Sequence, residues 1–317
     1  MNIVYLGSGQ LGIESLDALS RSAHNLPLIV TQPARQAGRG RKSCPTLVAC
    51  WADEHSVPFV EMDNVNTPEN IGRIAAHEPD LIVVIAFGQK ISRELTTLPP
   101  KGAINVHASL LPKYRGAAPI NWAIINGETT TGISIITLAE RMDAGQVLSQ
   151  AHTDIRADET AGQLHDRLAE LAAPLLSETI DQIEASTAVY TEQDHSKATL
   201  APKLKKTDGF LDFTEPAEVL ARKIRGFWPW PGASANYISK ETGRSVRVSI
   251  AMAEDIKNPN AAALPAGTID EELNVICGAN ALRITRIKPA GSPLMDFKAF
   301  ANGRQTRPGD LLVRIGN

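Results

Sequence analysis

Short, unbroken apolar runs alternate with amphipathic stretches through the first half of the chain. Residues 3–6, 28–31, 81–85 and 103–106 are rich in β-branched side chains and have the length of fully buried strands. Between them, residues 11–21 and 68–77 carry apolar positions at helical spacing. This alternation predicts a parallel, doubly wound sheet with helices on its faces, a Rossmann-like α/β domain. Residues 132–138 and 146–151 predict two further strands flanking a turn. Leu164, Leu168, Leu171, Leu175, Ile180 and Ile183 then recur at helical spacing and predict one long helix packed across the sheet.

The texture changes near residues 197–207, where Ala201-Pro202-Lys203-Leu204-Lys205-Lys206 forms a basic joint without period. Beyond a helix-like stretch at 217–225 and the run Trp228-Pro229-Trp230-Pro231-Gly232, short segments at 245–251, 267–270, 274–277 and 282–288 are punctuated by Gly and Pro. Short strands of this kind predict a small, OB-like β-barrel. The expected organisation is a catalytic-type α/β domain over 1–195, a linker at 196–208 and a barrel over 209–317. Trp228 and Trp230 are expected in the barrel core.

Composition keeps this picture within ordinary bounds. The 317 residues are 43% hydrophobic and 21% charged, as in a soluble chain of two domains. No apolar run approaches the roughly 20 residues needed to span a bilayer, and the first residues read as a strand and a glycine turn rather than a signal peptide. Cys44, Cys50 and Cys277 lack metal-ligand spacing, so neither disulfides nor zinc are expected. A reducing cytoplasm and a monomer fit. Residues 1–202 hold 15 Lys+Arg against 23 Asp+Glu, a net of −8, whereas residues 203–317 hold 17 against 12, a net of +5. A basic second half suggests an extended anionic partner.

Two stretches carry candidate binding chemistry. Gly7-Ser8-Gly9-Gln10-Leu11-Gly12 is a GxGxxG between a strand and a helix, the pattern of a dinucleotide site in an NAD-dependent oxidoreductase. Such a site needs an acidic residue at the end of the second strand for the ribose hydroxyls. Here that strand ends Thr31-Gln32-Pro33, with no acid, which argues against NAD. The loop over residues 31–42 carries Arg35, Arg39, Arg41 and Lys42, four positive charges in eight residues with glycines between them. It cannot pack as core, and it reads as a solvated loop or as a phosphate-tracking arm that orders on nucleic acid.

Candidate catalytic groups cluster in residues 104–119, Ile-Asn-Val-His-Ala-Ser-Leu-Leu-Pro-Lys-Tyr-Arg-Gly-Ala-Ala-Pro. Alternation along an extended strand puts Asn105 and His107 on one face at its end. A carboxamide beside an imidazole can stabilise an oxyanion and move a proton, and Asp143 could orient and charge the imidazole. A lone histidine at a strand end is more often structural, and it is the whole string that argues otherwise.

Asn105, His107, Ser109-Leu110-Leu111-Pro112 and Asp143 together resemble the signature of the folate-dependent formyltransferases. The resemblance implies transfer of a formyl group from 10-formyltetrahydrofolate, a consumed co-substrate, to an amine, without a metal. It implies that Asn105, His107 and Asp143 are catalytic, and that Phe87, Gly88, Ser109, Leu110, Leu111 and Pro112 hold the folate. Ser8-Gly9 departs from the Thr-Pro often found in the family's first turn. The basic loop, Ala201-Pro202-Lys203-Leu204, the aromatic-proline run and Lys288-Pro289-Ala290-Gly291 resemble the tRNA-directed branch. That implies initiator methionyl-tRNA as acceptor, with Arg39, Arg41, Lys42 and Lys203 on the tRNA. The barrel and aromatic-proline run are shared with the branch acting on amino sugar nucleotides, which stays open as the alternative acceptor. Ala117, where a sugar enzyme is expected to have Arg, favours tRNA. An RNA-binding module with a degenerate sheet domain would have no use for the catalytic trio.

Overall fold

The computed structural model describes residues 1–37, 42–258 and 264–316. They form two compact units, one of residues 1–119, 130–154 and 165–201, the other of 120–129, 155–164 and 202–317. The chain begins with β1 (Asn2–Gly7), α1 (Ile13–Ser20) and β2 (Asn25–Thr31), followed by the short strands β3 (Arg35–Ala37) and β4 (Lys42–Cys44). Next come α2 (Leu47–Glu54), β5 (Phe59–Glu61), α3 (Pro68–Ala75), β6 (Leu81–Ile85) and the single turn α4 (Arg93–Thr96). Then follow β7 (Ala103–His107), β8 (Arg115–Gly116), α5 (Pro119–Ile125), β9 (Thr130–Thr137), β10 (Val147–Asp154), α6 (Ala161–Glu184) and β11 (Leu200–Ala201).

Seven of these strands form one sheet in the order β10-β9-β7-β6-β1-β2-β5. The β1, β2, β5, β6 and β7 strands run parallel. Residues 3–6, 28–30 and 81–85 are the continuous apolar runs expected where both faces are covered, whereas the edge strand β5 is Phe-Val-Glu and largely exposed. The last two, β9 and β10, add an antiparallel edge. Alternation is visible in the core: Val4, Leu6, Leu28, Val30, Ile82 and Val84 share one cluster with Ile71 and Ile74 of α3. The starts of α2 and α3 are capped as their sequences dictate. The Thr46 hydroxyl accepts from Ala49 N at 3.0 Å, and Thr67 accepts from Asn70 N at 3.3 Å ahead of Pro68. α6 is continuous through Pro174. The basic stretch after β2 is not irregular throughout: residues 35–37 pair antiparallel with 42–44.

The second unit contains α7 (Ala217–Phe227), β12 (Ala233–Ile238), β13 (Ser245–Ile256), β14 (Val275–Ile276), β15 (Ala281–Pro289), β16 (Met295–Asp296), α8 (Phe297–Arg304) and β17 (Leu311–Val313). The strand order is β14-β15-β13-β12-β17, and single antiparallel bridges Thr268–Leu311 and Ile269–Val275 link the two ends into a nearly closed barrel. β13 runs five residues past the end that alternation predicts. Register shifts between Ile250 and Ala253 break the period, so the continuation is hidden in the sequence. The expectation for the tryptophans fails at Trp230, which is 55% exposed, while Trp228 is half-buried. α7 ends at Phe227, and Gly232 N returns to Phe227 O at 2.9 Å, so residues 228–231 form a turn between helix and strand. Phe227, still on the helix, is the aromatic that enters the core.

Candidate active site

β7 lies between β6 and β9, with Asn105 paired to Val84 and Ile136, and His107 to Ser134. The strand therefore carries both side chains on one face, His107 as its last residue. Asn105 is half-buried, and no hydrogen bond occupies its carboxamide among the described residues. His107 is 6% exposed. Its Nε2 lies 2.9 Å from the Tyr114 carbonyl, which can only accept, so Nε2 carries a hydrogen. Its Nδ1 faces Asp143 Oδ2 at 3.6 Å.

The β9–β10 connection begins beside Ile104, at the far end of β7 from His107, so it must fold back to bring Asp143 to the imidazole. Asp143 adopts φ +51°, and its Oδ2 accepts from Gly116 N at 2.8 Å. Tyr114 and Gly116 thus each supply a backbone group to the pair, and Tyr114 also has a left-handed backbone, φ +63°. Between them, Arg115 is buried with its guanidinium on Gln193 and His195. Burial, and then Arg141, pull the Arg115 guanidinium below its usual range, while Asp143 opposes the shift. Tyr114, Arg115 and Gly116 lie in the 104–119 string, but nothing in their sequence marks these roles. Gln193 carried no signal at all, since it meets the site only through the fold.

The Ser109–Pro112 turn is braced from beneath. The Ser134 hydroxyl donates to Ser109 O at 2.6 Å and accepts from Leu111 N at 3.0 Å, and Gln150 Nε2 donates to Leu111 O at 3.0 Å. The Ser109 hydroxyl donates to Lys113 O, so it is committed to the turn itself. These bonds satisfy buried backbone groups that neither helix nor ladder could. A cleft of about 280 Å³ opens beside the ends of β1, β2 and β6, lined by Ser8, Gly9, Gln32 and Ala86 together with Phe87 and Gly88. The lining thus includes two of the residues expected to hold folate, but none of Ser109, Leu110, Leu111 and Pro112. Phe87 also packs into the core cluster, and its carbonyl accepts from Gln32 Nε2 at 2.6 Å.

The glycine turn has its own explanation. A β-carbon at Gly7 would stand 2.5 Å from the Tyr5 ring, and one at Gly12 would overlap the Tyr5 hydroxyl. The spacing therefore makes room for a phenol inside the protein. Ser8 acts locally, its hydroxyl accepting from Gln32 N at 3.0 Å. Lys203 is exposed. Arg39 and Arg41 lie outside the described residues, and Lys42 is described only by its backbone in β4. Among the described residues, His24, Asp181 and Glu184 bring one imidazole nitrogen and two carboxylate oxygens within 4.8 Å. Both carboxylates are exposed, and His24 Nε2 lies within hydrogen-bond distance of Asp181 Oδ1, at 3.0 Å. No helix is long and apolar enough to cross a membrane among the described residues.

Residues 1–180 match the formyl transferase family model, and residues 203–305 match that of the formyl transferase C-terminal domain. The chain belongs to the formyl transferase family. Methionyl-tRNA formyltransferase of Citrifermentans bemidjiense is 37% identical over 312 residues, 98% of this chain and 96% of that one. Among solved structures, HypX from Aquifex aeolicus, in complex with tetrahydrofolic acid, has a TM-score of 0.60 and 17% identity over 95% of this chain. This formyl transferase spans about half the length of HypX, 47%. WlaRD, a sugar 3N-formyl transferase solved in the presence of dTDP and 5-N-formyl-THF, has a TM-score of 0.64 and 15% identity over 92% of this chain and 99% of that one. At such identities the two structures speak to the fold.

Proposed function

We infer that the protein transfers the formyl group of 10-formyltetrahydrofolate to the α-amino group of initiator methionyl-tRNA, giving the formylated form used to start translation. The acceptor is supported by 37% identity, across 98% of the chain, to a methionyl-tRNA formyltransferase. The distant likeness to a sugar enzyme, at 15% identity, gives the amino sugar nucleotide far less support. The chemistry is supported by the buried His107, on the strand that carries Asn105, facing the half-buried Asp143.

In this reading the neutral amine attacks the formyl carbon, and negative charge develops on the formyl oxygen. The Asn105 carboxamide and the His107 Nε2–H, once released from the Tyr114 carbonyl, donate to that oxygen. Asp143, across from Nδ1, balances the charge on the imidazole as a proton moves to the departing folate nitrogen. Phe87, Gly88 and residues 109–112 supply apolar and backbone surface for the pterin. Arg39, Arg41, Lys42 and Lys203 meet the tRNA. The reading includes a monomer in the cytoplasm, consistent with three unpaired cysteines.

The test offers 10-formyltetrahydrofolate with Met-tRNA or an amino sugar nucleotide, in wild type and variants. Met-tRNA should be the faster acceptor. His107→Ala and Asp143→Ala should lower turnover by roughly 10²–10⁴, and Asn105→Ala by roughly 10²–10³, with folate affinity little changed. Near-normal single-turnover rates in all three variants would sink the site, and preference for the sugar would sink the acceptor.

A further inference from the structure

The chain after α6 returns past the site as a strap fastened at both ends. Thr191 exchanges two backbone hydrogen bonds with Val147, at 2.8 and 2.9 Å. Farther on, Thr199 O accepts from Arg115 N at 2.8 Å, its hydroxyl accepts from Tyr114 N at 2.8 Å, and β11 pairs with β8. Between these attachments Gln193 is buried at 7% exposure. Its Oε1 accepts from Arg115 Nε at 3.2 Å and Nη2 at 2.6 Å. Its Nε2 donates to the backbone carbonyls of Asp143 at 2.9 Å and Gly145 at 2.6 Å. A carboxamide has two N–H donors and two acceptor lone pairs. All four positions are used.

Asp143 is the residue that needs such holding. Its left-handed backbone is disfavoured by its β-carbon and persists only where the surroundings over-determine it. Its segment must also stay folded back along β7 against the freedom of a loop. A β-carbon at Gly145 would overlap the Thr137 carbonyl, so the return path lies tight on the end of β9. Gln193 is the one side chain with hydrogen bonds to both the Asp143 and Gly145 carbonyls among the described residues. Through Arg115 it is joined to the segment whose Tyr114 carbonyl and Gly116 amide touch His107 and Asp143.

We propose that Gln193 is a positioning residue for this site, its carboxamide N–H groups holding the 143–145 segment so that the Asp143 carboxylate stays on His107. The proposal rests on the catalytic reading of His107 and Asp143. It assigns to the strap a role in the geometry of the reaction rather than only in joining two units.

Two variants separate the halves of the side chain. Gln193→Glu keeps an acceptor for Arg115 but turns both donors into oxygen facing the two carbonyls. Gln193→Met keeps length and bulk without hydrogen bonds. A displacement near 1 Å at a reacting group costs up to about 10² in rate. Positioning therefore predicts a kcat reduced roughly 10- to 100-fold in both variants, with KM for folate and Met-tRNA within about twofold. It also predicts shifted ring ¹⁵N–¹H signals of His107 in the Glu variant. A merely structural role predicts near-normal kcat in the Glu variant and a loss in the Met variant that follows its melting temperature. Normal kcat with unshifted His107 signals in Gln193→Glu overturns the proposal, as does loss of fold in both variants. Asp143→Asn is assayed in parallel. If it keeps normal turnover, the catalytic reading fails, and the His107 signals still report whether Gln193 sets the pair.

Discussion

Three donors converge on the Asp310 carboxylate: Tyr237 Oη at 2.6 Å, Lys240 N at 2.8 Å and Arg307 N at 3.0 Å. Burial opposes ionisation, yet these hydrogen bonds hold the carboxyl below its usual range. A depressed folded-state pKa contributes stability above the unfolded value, near 4, and that contribution is lost as pH falls through the folded value. Asp310→Asn puts an NH₂ against at least one donor and should cost about 1–3 kcal/mol near neutral pH. Urea unfolding of the Asn variant at pH 3, 5 and 7 should show a smaller acid loss than wild type, and an equal loss would place the acid sensitivity elsewhere. Tyr5 makes the opposite case. Its hydroxyl is buried without a partner among the described residues, and burial raises its pKa. Tyr5→Phe removes an unsatisfied polar atom and should stabilise by about 1 kcal/mol, read as a rise in the urea midpoint. A destabilised Phe variant would mean that the hydroxyl has a partner in solution.

At the scale of elements, the glycine turn after β1 is shaped by the residue behind it. Gly12→Ala should destabilise by roughly 1–3 kcal/mol through overpacking against Tyr5. In the Tyr5→Phe background the nearest ring atom left is the one at 3.2 Å, so most of that cost should vanish. A double-mutant cycle measures the coupling, and additive costs would show that the turn's glycines answer to something else. The same geometry accounts for a dinucleotide-like spacing without its acidic partner on β2. NAD at saturating concentration should leave the melting temperature unchanged, whereas a bound ligand at 100 times its Kd contributes about 2.7 kcal/mol.

Over the whole molecule, the net of −8 over residues 1–202 and +5 over residues 203–317 makes a local basic cluster in the first part conspicuous. If Arg39, Arg41 and Lys42 touch tRNA phosphates, each neutralisation should reduce the log–log salt slope of Met-tRNA use by about 0.9. Arg39→Ala, between Gly38 and Gly40, is expected to do the most damage. Measuring kcat/KM across salt concentrations decides it, since unchanged rate and slope would leave the loop a passive cover.

Periodicity alone determined four of the five parallel strands and the helices α1, α3 and α6 of the first part, because strands buried on both faces must be apolar throughout. The short, exposed β5 and the short α2, α4 and α5 carried no such pattern. The short apolar segments beyond residue 209 likewise announced a barrel, and Asn105 and His107 shared a strand face by alternation. The chemistry of a charged imidazole, and then the family resemblance, drew Asp143 to them. Other features were beyond sequence because they depend on atoms distant along the chain. The Tyr114 carbonyl and Gly116 amide act through the backbone, which side-chain identity does not encode. Gln193 reaches Asp143 across 50 residues. Trp230 looked like core by composition, and only the placement of its turn outside the barrel wall exposed it. The sequence specified which surfaces must be buried. Tertiary packing decided which polar groups were left to meet.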